Sequence, residues 1–233
     1  MRWKEADHAM AVVSYACLLL AAWYLWRWGR RSPDRNPLEA RFPWVPLAVV
    51  TVVGAAFYVP TWRIDRAAAR AGKAVSAVAG DQLEYRCGSV LNVFFDRNTD
   101  MNMGYVRWDE DGLPEKRAKL RHETCEGLLQ FMAAPDDLAT DRQAKILAVH
   151  ILSHEARHMV GELREDAAEC QALQRNARVA RALGASDAAA RELAVAYWKE
   201  FYPRMPAGYF TPDCRPGGRL DEKLADAPWN LAR

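Results

Sequence analysis

The sequence predicts a mainly α-helical chain (α+β) in two parts, a two-helix transmembrane hairpin over residues 1–62 and a small mixed domain over 81–233, joined by a helical stalk over 63–80. Three observations carry this reading. Two apolar stretches without an internal charge, Ala9 to Trp26 and Phe42 to Trp62, stand back to back at the start. Six of the nine tryptophans lie before residue 63, most of them at the ends of those stretches, where interfacial aromatic rings settle. Beyond them, apolar residues recur at helical spacing around a histidine-bearing run, with only short β-branched and aromatic segments in between.

Each apolar stretch is long enough at helical rise to cross a hydrocarbon core, the first only just. Trp23, Trp26 and Trp28 cluster at one end of the first, and Trp44 and Trp62 bracket the second. Pro43 and Pro46 fall in the first turns of the second stretch, where a missing backbone donor does little harm. The start, Met1-Arg2-Trp3-Lys4-Glu5, has mixed charge and no small-x-small site follows Ala21-Ala22, so a cleaved signal peptide is not expected. Arg27, Arg30, Arg31, Arg35 and Arg41 lie between the spans; the positive-inside rule places that loop in the cytoplasm and both termini outside. Cysteine usage agrees. Cys87, Cys125, Cys170 and Cys214 are even in number and lack metal-binding spacing, which implies two disulfides, three possible pairings and an oxidising compartment. The expected location is the cell membrane, with the C-terminal domain extracytoplasmic. The formal charge is +2, and from Arg63 onward basic and acidic side chains nearly cancel, so no nucleic-acid surface is expected.

From Arg63 to Gly80, Ile64, Ala67, Ala68, Ala71, Val75 and Val78 recur at helical spacing and continue the second span until Gly80 stops it. Val90 to Phe95, Gly104 to Trp108 and Ala118 to Arg121 read as short strands, with polar Asp96 to Asn102 a solvated loop between the first two. Glu123 to Ala133 reads as a helix with Cys125, Leu128, Leu129 and Met132 facing the core, broken by Pro135-Asp136-Asp137. A longer helix follows from Asp141 to Met159. Arg164 to Leu183 forms another, closed by Gly184, and Ser186 caps a last one running to about Phe201. The tail from Pro203 is rich in proline and glycine and is tied down by Cys214.

The long helix carries His154-Glu155-Ala156-Arg157-His158, an HExxH motif. One helical turn puts His154 and His158 on the same face, where two imidazoles reach one metal ion, while Glu155 stands one residue round and faces the water. Zinc suits such ligands and brings bound water near neutral pKa, and a nearby carboxylate can carry its proton. His150 shares this face, but about 12 Å of axial rise separates it from His158, so it is read as packing or as a support to a ligand. Glu162 is excluded as a ligand on the same ground, standing about 12 Å along the axis from His154. Arg164 cannot bind zinc, and Gly161 is free to take the left-handed conformation that turns the chain back toward the metal.

HEARH, with Glu165-Asp166-Ala167-Ala168-Glu169 after it, resembles the zincin metallopeptidases and in particular the gluzincins, over roughly Ala144 to Gln174. The spacer Met159 to Arg164 is shorter than is usual in that group. The resemblance implies a zincin-like domain with an active-site helix, in which His154, His158 and Glu165 bind Zn2+, Glu169 accepts a hydrogen bond from a ligand histidine, and Glu155 is the catalytic base. It also implies a sheet edge, assigned to Gly104–Trp108, that holds an extended substrate. Tyr197, Tyr202, Tyr209 and His122 are candidates to donate to the oxyanion. The expected function is that of a membrane-anchored zinc-dependent metallopeptidase acting on peptide or protein substrates. Two alternatives stand beside it: an envelope protein with a closed structural zinc site that recruits Cys170, and a metal-free binding or scaffold module.

Overall fold

The computed structural model describes residues 16–27, 29–30, 44–88 and 103–232, and the chain divides into two compact units, Met1–Arg63 and Ile64–Arg233. In the first unit, helix α1 covers residues 16–27, and the first half of helix α2 (Trp44–Ala79) packs against it. A glycine makes that approach possible: a Cβ on Gly54 would stand 3.2 Å from the Cβ of Cys17.

The expected transmembrane hairpin is overturned here. Among the described residues no helix is long and apolar enough to cross a membrane. The described part of α1 rises only about 18 Å, against a hydrocarbon core of about 30 Å. Helix α2 continues past Trp62 through Arg63, Asp65, Arg66, Arg70 and Lys73 to Ala79, the continuation that the helical spacing up to Gly80 predicts, but it is not apolar enough over a sufficient length to cross a membrane. The membrane anchor, the expected location in the cell membrane and the orientation drawn from the arginine loop lose their support with it.

The second unit begins with the rest of α2, whose Ala67, Ala68, Ala71 and Val75 are buried at helical spacing. This stretch is therefore part of the core rather than a free stalk. Small side chains let the neighbouring chain come close: a Cβ on Gly72 would meet the Leu83 carbonyl at 3.0 Å. Gly80, at φ +73°, ends the helix, and the Ser76 hydroxyl accepts from the Leu83 N–H at 2.9 Å to start the next strand.

A three-stranded sheet follows, in the order β1-β3-β2, from β1 (Glu84–Cys87), β2 (Gly104–Trp108) and β3 (Pro114–Leu120). β1 runs parallel to β3 with Tyr85 opposite Ala118, and β2 runs antiparallel to it with Gly104 opposite Leu120. Strand β1 has too few apolar residues to announce itself, whereas the expected strand at Val90–Phe95 lies outside the described residues. β3 begins four residues before the expected Ala118, because pairing with both neighbours recruits the charged run Pro114–Arg117.

Helix α3 (His122–Ala133) packs on α4 (Arg142–Met159) so closely that a Cβ on Gly127 would lie 2.5 Å from the Ala144 carbonyl. Ile146, Val149, Leu152 and Met159 of α4 enter the core with Leu128 and Phe131 of α3. The Tyr85 hydroxyl donates to the Leu152 carbonyl at 2.6 Å, and Lys116 donates to the Met159 carbonyl at 2.8 Å, where a cation suits the helix end. The expected helix from Arg164 to Leu183 is two helices, α5 (Glu165–Leu173) and α6 (Asn176–Ala182), broken at Gln174–Arg175. Helix α7 (Asp187–Ala196), capped by Ser186, passes into a π-helical turn over Tyr197–Phe201; a short α8 (Pro228–Leu231) closes the chain. The disulfides are Cys87–Cys125, joining β1 to α3, and Cys170–Cys214, joining α5 to the C-terminal loop.

Candidate metal centre

Helix α4 presents His154 and His158 on one face, their ring centroids 4.7 Å apart. The helix ends at Gly161, whose φ of +111° reverses the chain, with Glu162 N–H donating to the Arg157 carbonyl and Gly161 N–H to that of His158. The reversal returns Glu165, in the first turn of α5, to the two histidines. His154 Nε2 and His158 Nε2 lie 3.0 Å apart, and Glu165 Oε2 is 3.1 Å from the first and 3.2 Å from the second. For metal–ligand bonds of about 2.0 Å, two corners of a tetrahedron are about 3.3 Å apart, close to this triangle.

The opposite ring nitrogens show what the triangle requires. His158 Nδ1–H donates to the Glu162 carbonyl at 2.7 Å, and His154 Nδ1–H donates to Glu169 Oε2 at 3.1 Å. In their neutral forms both rings then point a bare Nε2 lone pair into the triangle, where Glu165 adds a third acceptor. Three acceptors within hydrogen-bond distance of one another need a cation between them. The smallest is a proton. Burial opposes charge on His154, but hydrogen bonds with Glu165 and Glu169 outweigh it and raise its pKa from 6.5 to about 10. The same hydrogen bonds from His154 and His158 hold the Glu165 carboxyl down at about 2. The group His154, His158 and Glu165 can hold a metal ion.

A second group, His150, His154 and Glu169, is as compact but is already satisfied. His150 Nε2–H donates to Glu169 Oε2 at 2.9 Å, Asn176 Nδ2 donates to His150 Nδ1 at 3.1 Å, and the Tyr197 hydroxyl donates to Glu169 Oε1. Every close contact there has a proton on the line, so it is a hydrogen-bond cluster that supports the first.

Glu155 lies beneath strand β2, almost fully buried, with Oε2 lacking a hydrogen-bond partner. Burial raises its pKa from 4.5 to about 7, against the pull of His154 and His158. Gly104 makes room for it: a Cβ there would stand 2.8 Å from Oε1 and 3.0 Å from Cδ. β2 is therefore laid directly against the HExxH carboxylate, with Trp108 at its far end meeting the His158 ring edge-on at 6.5 Å. No family model, curated protein or solved structure matches this chain.

The structure thus brings His154, His158, Glu155, Glu165 and Glu169 to one place. Glu162 contributes its carbonyl to His158 and its carboxylate to Gln171 and the Arg164 N–H, which fixes the turn. Of the four oxyanion candidates, three are committed elsewhere. Tyr197 is fully buried on Glu169, the Tyr202 hydroxyl is held between the Thr211 N–H and carbonyl, and His122 pairs with Glu126. Tyr209 remains, half-buried, its ring 5.8 Å from that of His154. Cys170 is held in a disulfide and is not available as a thiolate ligand, and among the described residues no fourth side chain joins the His154 group. Asn176 escaped the sequence reading because it falls where one helix was expected to run through.

Proposed function

We propose that this chain is a zinc-dependent metallopeptidase of zincin type, hydrolysing peptide bonds in an extended segment laid along β2. The observation that carries this reading is the triangle of His154 Nε2, His158 Nε2 and Glu165 Oε2, three acceptors with no proton assigned between them in their neutral forms, beside a buried carboxylate with a pKa of about 7. His154, His158 and Glu165 would hold the ion, a two-histidine, one-carboxylate set that suits catalytic zinc. Zinc supplies a Lewis acid that lowers the pKa of water and polarises a carbonyl. Glu155, poised near neutrality, takes the proton of the attacking water and delivers it to the leaving amine. The exposed side of Glu165, about half open to solvent, and the lack of a fourth protein ligand among the described residues favour an open site over a closed structural one. The Tyr209 hydroxyl is the candidate donor to the developing oxyanion. Among the described residues β2 pairs with β3, and an extended peptide laid antiparallel along this strand would lie beside Glu155. The two disulfides fit a domain folded in an oxidising compartment.

The test is zinc content per chain and cleavage of unstructured peptides by wild type and Glu155→Gln. Stoichiometric zinc in both, with cleavage reduced roughly 10^2–10^4-fold in the variant, is the expected result. A folded wild type that takes up no zinc, or an activity that Glu155→Gln leaves untouched, removes the reading.

A further inference from the structure

We infer that His150 and Tyr197 are positioning residues for the metal ligand His154, acting through the carboxylate of Glu169 that all three share. The inference rests on the metal-site reading and concerns residues outside the HExxH motif.

Glu169 has two oxygens and three donors. Oε2 accepts from His154 Nδ1 at 3.1 Å and from His150 Nε2 at 2.9 Å, while Oε1 accepts from the Tyr197 hydroxyl. A carboxylate free to rotate would present either oxygen to His154; with Tyr197 holding one and His150 pinning the other, only one orientation is left. His150 is itself fixed. Its ring stacks on that of Tyr197 at 3.6 Å between centroids and 13° between planes, and Asn176 donates to its far nitrogen, so its Nε2 carries the proton and faces Glu169. Phe201 also stacks on the tyrosine, with ring centroids 5.8 Å apart and 5° between planes.

Burial gives the arrangement its meaning. His150 is 3% exposed, Glu169 1%, and Tyr197 and Asn176 not at all. A carboxylate so placed is strongly disfavoured unless each oxygen is paired, and an apolar side chain would fill the space at no such cost. Tyr197 is also delivered by the π-helical turn that it opens, a deformation found mostly where a side chain must be aimed. The product of the arrangement is a single state of His154: Nδ1–H on Glu169, ring plane fixed, Nε2 directed at His158 and Glu165. Partners of this kind behind a ligand histidine typically contribute 10–100-fold to metal affinity.

Three full-length variants test it. His150→Phe keeps a ring against Tyr197 but has no donor; Tyr197→Phe keeps every ring carbon and loses one hydroxyl; His150→Gln returns an N–H where Nε2 stood. Zinc affinity is measured by chelator competition, the cobalt(II) absorption spectrum reports ligand geometry, and the Tm of each metal-free variant reports folding. The expected result is a 10–100-fold loss of zinc affinity in His150→Phe, about tenfold in Tyr197→Phe, an altered cobalt spectrum in both, and recovery to within about threefold of wild type in His150→Gln. Unchanged affinity in folded His150→Phe and Tyr197→Phe overturns the inference and leaves the metal site standing. Loss in His150→Gln as deep as in His150→Phe overturns it too, because packing alone would then explain the effect. Wild type that binds no zinc overturns the metal-site reading itself. Should His150→Phe fail to fold, Tyr197→Phe carries the test.

Discussion

His154 is where the chemistry of the site is most exposed to measurement. Its folded pKa of about 10 lies above the ordinary 6.5, so in the metal-free protein it is protonated at pH 8, and a metal ion must displace that proton. Zinc binding at pH 8 is expected to release about one proton from His154, read by calorimetry in buffers of different ionisation enthalpy; an unshifted histidine would release almost none. The same shift sets stability. A raised histidine contributes stability that is complete below 6.5 and lost as pH rises toward 10. Glu165, depressed to about 2, contributes stability that is complete above 4.5 and lost as pH falls toward 2. The metal-free protein is therefore expected to have its highest Tm between about pH 4.5 and 6.5, and a Tm still rising at pH 8 would contradict the pairing. The two glutamates separate by substitution: on the proposed assignment Glu165→Gln removes a ligand and is expected to lose more zinc affinity than Glu169→Gln, which is expected to lose roughly 10–100-fold. The reverse order would exchange their roles. Glu155→Gln, by contrast, touches none of the three convergent atoms and is expected to keep the metal.

At the scale of elements, the site depends on β2 coming down on α4, and Gly104 is what permits it. Gly104→Ala places a Cβ 2.8 Å from Glu155 Oε1 and 3.0 Å from Cγ, so either the carboxylate or the strand must move. On the proposed peptidase reading, a kcat at least tenfold lower and zinc affinity within threefold of wild type are expected, since Glu155 is not one of the three convergent acceptors. The Met103 carbonyl just before it accepts from Arg121 N–H and Thr124 Oγ1, both at 3.0 Å, and ties the strand to α3. Strand Gly104–Trp108 was legible in the sequence because Tyr105, Val106 and Trp108 are β-formers bounded by glycine and an acidic turn. Glu84–Cys87 was not, since it is a strand only by virtue of pairing with β3. The break between α5 and α6 was equally hidden: no proline or glycine marks Gln174–Arg175, and the Gln174 side chain, bonded to the Leu220 carbonyl and the Glu222 N–H, belongs to a contact with the tail.

At the scale of the molecule, the two disulfides close loops of sequence separation 38 and 44, one clamping the sheet to α3 and the other clamping the C-terminal loop to α5. By chain entropy each contributes about 4 kcal/mol. Replacing either pair by serine is expected to lower stability by about 2–5 kcal/mol, measured by denaturant unfolding. Loss of Cys170–Cys214 has a further consequence that loss of Cys87–Cys125 lacks. It frees the segment bearing Tyr209, and kcat is expected to fall in the folded variant with KM and zinc content little changed. Equal kinetics in the two variants would remove Tyr209 from the site.

Local geometry is what the sequence by itself determined. An i, i+4 spacing puts His154 and His158 on one face of any α-helix, Gly161 can turn the chain back, and four cysteines of even count can pair. Apolar patterning alone did not make membrane spans: among the described residues no helix is long and apolar enough to cross a membrane, and α2 continues to Ala79, with Ala67, Ala71 and Val75 buried. Only the tertiary structure decided which carboxylate meets which nitrogen, which cysteines join, and that His150, Asn176 and Tyr197 gather behind Glu169. Each is separated from its hydrogen-bond partner by 19 to 28 residues, with helix breaks between the elements that carry them. No periodicity reaches across such breaks; the packing of α5, α6 and the turn after α7 onto α4 is what brings them within hydrogen-bond distance.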